Sequence, residues 1–380
     1  MAAEREFSVV IAGGGVAALE AGLTLRALAG NRVRLQLLAP TAEFVYRPMT
    51  VREPFTHVAA RRYPLAEIAA DLDAELVVEE IERVDVARRA VHTTSGVSRA
   101  YDALLLAVGA RPRAPFAYAT TLDDRRMDEV LHGIIQDVEG GYVHSLAFVA
   151  PARMGWPLPI YELALMTANR AHAVGADVAI TIVTPETAPL AIFGGQATDA
   201  VGQLLRDAGI THVGSAELSI PRSGHVMLSR GGPTIDVDHV IALPELFGPS
   251  VGGLPAGDHG FIPIDRYGQV RGVERVFAAG DATDYPVKHG GVAAQQANAA
   301  ARSIAALAGA SVTPRPFDPE IRAMLLTGGH PVYLTAPIAG SHRLGGEITR
   351  HPTWATGAKI AATYLAPYLE RRDRAHAAGE

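Results

Sequence analysis

Residues 7–18 read Phe-Ser-Val-Val-Ile-Ala-Gly-Gly-Gly-Val-Ala-Ala. A short, unbroken apolar run enters three glycines and leaves them as an Ala- and Leu-rich stretch, Val16–Leu28. The run has the character of a strand buried on both faces of a parallel sheet, and the stretch after it that of a helix. Gly13-Gly14-Gly15-Val16-Ala17-Ala18 fits G-x-G-x-x-G/A. In that pattern Gly13 makes the tight turn, Gly15 lets a phosphate approach the backbone, and Ala18 lets helix and strand pack closely. Free N–H groups and partial positive charge at the helix N-terminus complete a cradle for a pyrophosphate. Val33–Leu38 is a second strand, so the segment is one βαβ unit. A glycine-rich turn with no ligand is the reading that such a motif by itself leaves open.

Far downstream, Val276-Phe277-Ala278-Ala279-Gly280-Asp281-Ala282 is an apolar strand ending in Gly-Asp. Open α/β sheets bind ligands at the C-terminal edge of their strands. There Asp281 can accept hydrogen bonds from ribityl hydroxyls, and Gly280 keeps the backbone close; alternatively, Asp281 caps the next turn. One site for a pyrophosphate and another for the far half of the same molecule point together to FAD. The acid that usually ends the second strand and holds the adenosine ribose should fall near position 39, where the chain has Ala39-Pro40. Glu43 is the nearest carboxylate, either its substitute or a solvated loop residue.

The 380 residues have room for two nucleotide-sized domains and a smaller one. With 48% hydrophobic and 19% charged residues the composition is that of a globular enzyme. A net charge of −6 provides no basic footprint, so no nucleic-acid partner is expected. The chain has no cysteine, which excludes disulfides, thiolate catalysis and Cys-ligated metal or iron–sulfur sites. No uninterrupted apolar run reaches the length of a membrane span. Met1-Ala-Ala-Glu-Arg-Glu leads straight into the first strand without a basic n-region or cleavage site, and a cytoplasmic protein is expected.

Segments around Glu79–Val86, Ala90–Thr94 and Ser98–Tyr101 suggest an antiparallel meander. Ala103–Val108 is another buried strand, ending in Gly109-Ala110-Arg111-Pro112, and Arg111–Ala119 reads as a crossover. A second βαβ pattern follows: strand Ser145–Val149, helix Pro159–Ala173, strand Asp177–Val183. Helix Ala197–Ala208 and strand His239–Leu243 continue it; Gly260–Pro263, Val276–Ala279 and helix Gly291–Ala308 return to the first unit. The Pro-rich Thr313–Pro319 opens a C-terminal piece. The expected fold is α/β, with two Rossmann-like FAD/NAD(P)-binding domains, the second inserted in the first, plus a small C-terminal domain. The expected boundaries are 1–116 and 258–315 for FAD, 117–257 for the NAD(P)H-binding-like domain, and 316–380.

Together these motifs resemble the two-dinucleotide-binding-domain flavoproteins, the pyridine nucleotide-disulfide oxidoreductase superfamily. The likeness covers about residues 5–310 and includes Tyr101-Asp102 leading into Ala103–Gly109. Phe44-Val45-Tyr46-Arg47-Pro48 looks like the segment that places an Arg-Pro or Thr-Pro step by the flavin in the sulfide:quinone oxidoreductase and type II NADH dehydrogenase branch. Asp284–Gly291, followed by Ala294-Gln295-Gln296, is similar to that branch's Pro-Lys-x-Gly and Ala-x-x-Gln segments, which pass the isoalloxazine. The resemblance implies cofactor contacts at Arg47, Pro48, Gly109, Lys288 and Gly291. It also implies that Lys288 and the helix from Gly291 stabilise reduced flavin. A solvated turn lysine is the other reading of Lys288. Without cysteines, the thiol relays of disulfide reductases and sulfide:quinone oxidoreductases have no counterpart here.

The superfamily's second glycine turn is altered. Pro151-Ala152-Arg153-Met154-Gly155-Trp156-Pro157-Leu158-Pro159-Ile160-Tyr161-Glu162 sets Glu162 where the family has a glutamate, and Gly155 where it has its first glycine. Trp156, Pro157 and Ile160 take the remaining glycine positions, removing a donor N–H and crowding a phosphate. Pro159 suits a first helical turn. By resemblance the fold is kept while NAD(P)H binding is altered, and Glu162 is a catalytic candidate on the nicotinamide side. Glu186, past the next strand, is either a ribose ligand favouring NADH over NADPH or an ordinary loop acid. Trp156 is either a pocket wall for a flat acceptor such as a quinone or core packing at a domain interface.

Near the C-terminus, Lys359–Arg372 reads as a helix with Ile360, Tyr364, Leu365 and Tyr368 on one face. Related quinone reductases lay such helices on membranes, which implies peripheral contact at the inner membrane face; packing on the chain's own FAD domain or on the mate in a homodimer is the alternative. Trp354 is placed near the flavin by analogy alone. His330 and His351 read as loop residues without metal-ligand spacing, and His289 as a proton-transfer candidate beside Lys288. The expected activity is that of an FAD-dependent oxidoreductase. It would carry two electrons from NADH, NADPH or another small donor to a quinone-like or other small acceptor, with no thiol relay. A flavoprotein that does not use NAD(P)H, and a non-catalytic FAD-binding sensor or scaffold, are the rivals. The Lys288–Gln296 segment argues against a scaffold, which has no need to dress the flavin's redox face.

Overall fold

The computed structural model describes residues 6–56, 58–229, 232–338 and 346–379. Most of the Met1–Glu6 leader therefore lies outside the described residues. Phe7–Ala12 sits at the centre of a five-stranded parallel sheet, flanked by Val33–Ala39 and Ala103–Leu106, with Ala74–Val78 and Val276–Ala278 at the edges. Alternate residues of the central strand serve two cores, as the pleat dictates. Val9 and Ile11 face the helices Val16–Ala29 and Gly290–Leu307. Val10 and Ala12 face a meander of Ile81–Asp85, Ala90–Thr93 and Ser98–Ala100. Both faces being covered explains why the strand carries no polar alternation. The two helices present Ala17, Ala18, Ala21, Ala297, Ala300 and Ala301 to the shared core, and these small side chains let them approach closely.

A second parallel sheet is inserted between Leu106 and Val276. It has the order Thr120–Thr121, His239–Ala242, Ser145–Val149, Ala179–Val183, Ile210–Val213. Helices Leu158–Val174 and Gly195–Asp207 pack with it. The two crossings of the chain between the sheets pair with each other as Arg111–Arg113 against Glu245–Phe247, antiparallel. An antiparallel sheet of Glu320–Leu325, Val332–Pro337 and Glu347–Thr349 follows, and its Ile321, Ala323, Leu325 and Leu334 join the core of the second unit. Two Rossmann-like cores, one within the other, and a small C-terminal element are thus the architecture.

One element differs from the sequence expectation. The C-terminal helix is Leu365–Gly379, not Lys359–Arg372. Pro367 falls in its first turn, where the missing N–H is not needed. The backbone N–H groups of Thr363, Tyr364 and Leu365 are bound by the Glu20 carboxylate, which sets the helix start. Leu365, Tyr368 and Ile360 are buried, so most of the stripe offered to a membrane is spent on the chain's own core. Among the described residues no helix is long and apolar enough to cross a membrane. Gly260–Pro263 keeps a single bridge, Ile262 to Thr283, and the Ile264 N–H, next in line for that ladder, donates instead to Asp284 Oδ1 at 3.3 Å.

Candidate cofactor site

The glycine turn divides its labour by geometry. Gly13 has φ +136°, and a Cβ there would stand 2.2 Å from the Ala107 carbonyl oxygen. Its N–H donates to Leu38 O at 2.7 Å, which clamps the turn between neighbouring strands. A Cβ on Gly14 would lie 2.8 Å from Leu65 Cδ1. Gly15 is the opposite case: a Cβ would meet nothing within 4 Å. The open space lies at the start of the Val16–Ala29 helix, whose N-cap Gly15 has no side chain to satisfy the first N–H groups. Val16 is half-buried, and Ala17 and Ala18 are buried beneath it.

Gly280 brings the downstream motif to the same place. It has φ +79°, and a Cβ on it would lie 3.3 Å from the Cβ of both Ala17 and Ala293. Its N–H donates to Gln296 Oε1 at 2.7 Å, and Gln296 Nε2 donates to Thr283 Oγ1 at 3.3 Å. The first glycine turn, the Gly280 turn and the uncapped start of the Gly290–Leu307 helix therefore converge. Burial pushes the Asp281 carboxyl above the usual range, against the pull of Lys288 and Arg47. Among the described residues no donor reaches that carboxylate. Arg47 is exposed and pairs with Asp124 at 3.5 Å, and Pro48 stands at the start of the 3-10 turn Arg47–Phe55. Gly109 has φ +73° and open space where a Cβ would be.

Lys288 is only 9% exposed. Its Nζ donates to Thr283 O at 2.5 Å and lies 3.9 Å from the Phe261 ring centroid. Burial pushes its ammonium down to about 8, while Asp281 and Asp284 resist. Next to it, the His289 ring lies 4.7 Å from that of Trp156, and its Nδ1 is buried without a hydrogen-bond partner among the described residues. Burial, then the charge of Lys359, push this imidazole down to about 4. Gly291 is the second residue of the helix.

The altered second turn is packed into the protein. A Cβ on Gly155 would stand 2.8 Å from Lys288 Cγ and 2.9 Å from Leu246 Cδ1, and Gly155 O accepts the Lys288 N–H at 3.1 Å. Trp156 also meets Phe193 edge to face at 5.9 Å, so the indole links the second core to His289. Glu162 does not face a cleft. Both its oxygens lie 2.8 Å from Lys359 Nζ, and Oε1 also accepts the Leu326 N–H at 3.0 Å. Burial pushes Glu162 up and Lys359 down, and each partner's charge opposes that. Glu186 turns inward to accept the Tyr161 hydroxyl at 2.7 Å, and burial pushes it up to about 7. The Tyr161 hydroxyl also lies 3.2 Å from His212 Nε2. Glu43 sits on the surface opposite Arg62 at 3.4 Å. Trp354 packs on Tyr333 and donates to Ala358 O at 2.8 Å.

Sequence reasoning missed Glu20 and Lys359. Glu20 is a lone carboxylate in the apolar stretch after the glycine turn, and that isolation is its signal. Lys359 had a plainer one: the chain has only two lysines, Lys288 and Lys359, and both are buried beside this site. The surface carries its positive charge on arginine, leaving the compact ammonium to two interior positions.

What the arrangement offers, among the described residues, is two helix starts without side-chain caps and one carboxylate without a donor, brought together by the Gly280 turn. These groups fit a ligand with a pyrophosphate, a polyol and a polar ring edge. Two NADH dehydrogenase-like proteins of Mycobacterium tuberculosis are each 28% identical to this chain over 294 residues, 72% of this chain and 72% of theirs. The sulfide:quinone oxidoreductase of Aquifex aeolicus superposes with a TM-score of 0.80 at 19% identity, covering 97% of this chain and 90% of that one. A ferredoxin reductase from Rhodopseudomonas palustris superposes with a TM-score of 0.66 at 20% identity, over 88% of this chain and 84% of that one. The sequence profile of the pyridine nucleotide-disulphide oxidoreductases matches residues 7–138 and 162–303, passing over the segment that holds the altered turn. With most of its length so matched, the chain belongs to the pyridine nucleotide-disulphide oxidoreductase family.

Proposed function

We propose that this protein is an FAD-dependent oxidoreductase that takes two electrons from NADH, NADPH or another small donor and passes them to a quinone-like or other small acceptor. The observation that carries the reading is the meeting of Gly280 with Ala17 and Ala293, which joins both nucleotide motifs and a helix N-terminus. In this reading residues 1–116 and 258–315 form the FAD domain, 117–257 the NAD(P)H-binding-like domain, and 316–380 the C-terminal domain. Gly13, Gly14, Gly15, Val16, Ala17 and Ala18 hold the pyrophosphate. Asp281 and Gly280 take the ribityl chain, and Gly109, Arg47 and Pro48 line the cofactor. FAD, when bound, supplies the two-electron chemistry. Lys288 and the helix start at Gly291 supply positive potential to its reduced form.

The NADH dehydrogenase-like relatives support a nicotinamide donor, and the family's name is in keeping with it. Glu162 acts there as a positioning residue, tying the second unit to Lys359 rather than meeting a nicotinamide. With no cysteine in the chain, electrons pass without a thiol relay. The packed Gly155–Trp156 turn favours a second reading, a flavoprotein whose donor is not a dinucleotide.

Anaerobic mixing of the FAD-loaded protein with NADH and with NADPH tests the proposal. Rapid bleaching of the flavin band by either supports it. A yellow protein that neither reduces favours the second reading, and a protein that takes up no FAD refutes both.

A further inference from the structure

The two crossings between the units form a ribbon whose faces differ in kind. Arg111 stands opposite Phe247 and Arg113 opposite Glu245, so these four side chains share one face. Pro112 and Leu246 turn to the other, and a Cβ at Gly155 would lie 2.9 Å from Leu246 Cδ1 and 2.8 Å from Lys288 Cγ. That inner face is packed toward Lys288. The outer face is open, with Arg111 and Arg113 exposed. Arg113 lies over the Phe247 ring, 4.2 Å from its centroid, and Arg153, from the altered second turn, lies 5.3 Å from the same centroid. The His259 ring stands edge-on to Phe247 at 5.8 Å, and its Nδ1 lies 2.8 Å from Arg153 Nη1. His259 is held at φ +58°, a left-handed conformation that is costly for a residue with a side chain and persists only where its surroundings impose it. Among the described residues, only Arg153 of the three arginines has a carboxylate partner, Glu245 at 3.3 Å. Three guanidiniums against that carboxylate make the face positive on a chain whose net charge is −6.

We propose that the Arg111–Arg113–Arg153–Phe247 face docks a small acidic protein that carries one electron at a time. The inference rests on the flavin reading of the site and names a partner for it. Charge selects an anion, and shape selects a protein: small ligands are held in concave sites, whereas a two-stranded ribbon presents a broad, open face. Arginine and aromatic side chains are the groups that anchor protein interfaces, and here two guanidiniums share one ring. Position selects the chemistry. A carrier on the outer face is separated from Lys288 by the thickness of the ribbon. Hydride transfer needs contact between the reacting atoms, but an electron crosses a layer of packed side chains. Two carriers in turn take one electron each from the reduced flavin, and its proton passes to water. The positive face draws the carrier in and orients it before contact.

FAD-loaded protein, reduced without oxygen by a stoichiometric amount of dithionite, is mixed with three oxidants. These are cytochrome b5, an acidic haem protein; cytochrome c, a basic one; and ferricyanide, a small anion. Haem absorbance and the flavin band follow the transfer. The rate with cytochrome b5 is expected to fall about tenfold as salt is raised from about 20 mM to about 200 mM. At low salt the double variant Arg111→Gln with Arg113→Gln should lower that rate by about tenfold and flatten its salt dependence. Cytochrome c should show no such loss. The affinity of the oxidised protein for cytochrome b5, read by titration calorimetry, should weaken in step with the rate. Melting curves and the flavin spectrum show whether the variant is folded and loaded, and Arg111→Lys with Arg113→Lys, which keeps both charges, should recover most of the rate. Wild-type rate and affinity for cytochrome b5 in the Gln variant would overturn the proposal. A loss with ferricyanide alone would overturn it too and assign the face to a small anion. A protein that takes up no FAD sinks the flavin reading and this inference with it; a loaded protein whose transfer ignores the arginines sinks the inference alone.

Discussion

Glu162 and Lys359, 197 residues apart in the chain, form a buried ion pair in which both carboxylate oxygens lie 2.8 Å from the ammonium. The pair fastens the second Rossmann unit to the strap that precedes the C-terminal helix. From there the Ile360 N–H donates to the Tyr46 hydroxyl at 2.9 Å, and Glu20 holds the next N–H groups. Breaking a buried pair strands a charge, whereas removing both charges does not. Glu162→Leu and Lys359→Met are each expected to cost about 3–5 kcal/mol. The double variant Glu162→Leu with Lys359→Met should be much closer to wild type, apart from the lost acceptor of the Leu326 N–H. Denaturant midpoints of the four proteins measure this; additive losses would show that the pair is not coupled.

Gly13 and Gly15 are expected to separate folding from cofactor binding. Gly13→Ala meets both a forbidden φ and the Ala107 carbonyl, so it should destabilise the apo-protein by about 3 kcal/mol or more. Gly15→Ala has an ordinary backbone and free space, so apo stability should change by less than about 1 kcal/mol. FAD affinity should nevertheless drop at least tenfold, on the order of 1.4 kcal/mol, because the methyl would occupy the phosphate's approach. Thermal melts of apo-protein and flavin fluorescence titrations distinguish the two effects.

Lys288 titrates near 8 because burial disfavours its charge. In the proposed flavin reading, the ammonium below that pH favours the reduced, more negative cofactor, and as pH rises through about 8 this support is lost. The flavin midpoint is therefore expected to fall more steeply above that point. Lys288→Met should lower the midpoint at pH 7 by about 30–60 mV, one to two powers of ten in relative affinity. Wild type and variant should converge at high pH. Parallel curves at all pH values would remove Lys288 from the redox role.

Glu186 has a pKa raised from 4.5 to about 7 by burial, so folding takes up a proton in that interval. Its contribution to stability is complete below pH 4.5 and is lost as pH rises through about 7. At about 1.4 kcal/mol per unit, the effect is at most roughly 3 kcal/mol. Glu186→Gln should flatten this part of the pH–stability curve. An unchanged slope would mean that the Tyr161–Glu186 contact opens to solvent.

Both nucleotide turns were legible because their demands are local. Gly13 needs a positive φ next to a neighbouring strand, Gly280 needs another at the end of its own strand, and each leaves a short pattern in the chain. The buried strands were legible for a similar reason, since covering on both faces removes the polar alternation. The C-terminal helix was misplaced because its start depends on Glu20, whose carboxylate reaches Leu365 across 345 residues. Propensity within 359–372 contains no trace of that cap. The ion pair of Glu162 was illegible in the same way, because position in a family pattern says nothing of which lysine will be folded against it.

By itself the sequence determined the two parallel sheets, the glycine turns and the absence of thiol chemistry, each of which follows from residue type and spacing over a few positions. Only the tertiary structure decided what the buried charges do. It placed both of the chain's lysines beside one helix start, spent Glu162 and Glu20 on the C-terminal strap, and left His289 Nδ1 and the Asp281 carboxylate without a hydrogen-bond partner among the described residues. The physical reason is desolvation: a charge taken out of water must be met by whatever the fold brings to it, and that partner is chosen by three-dimensional packing rather than by neighbours along the chain.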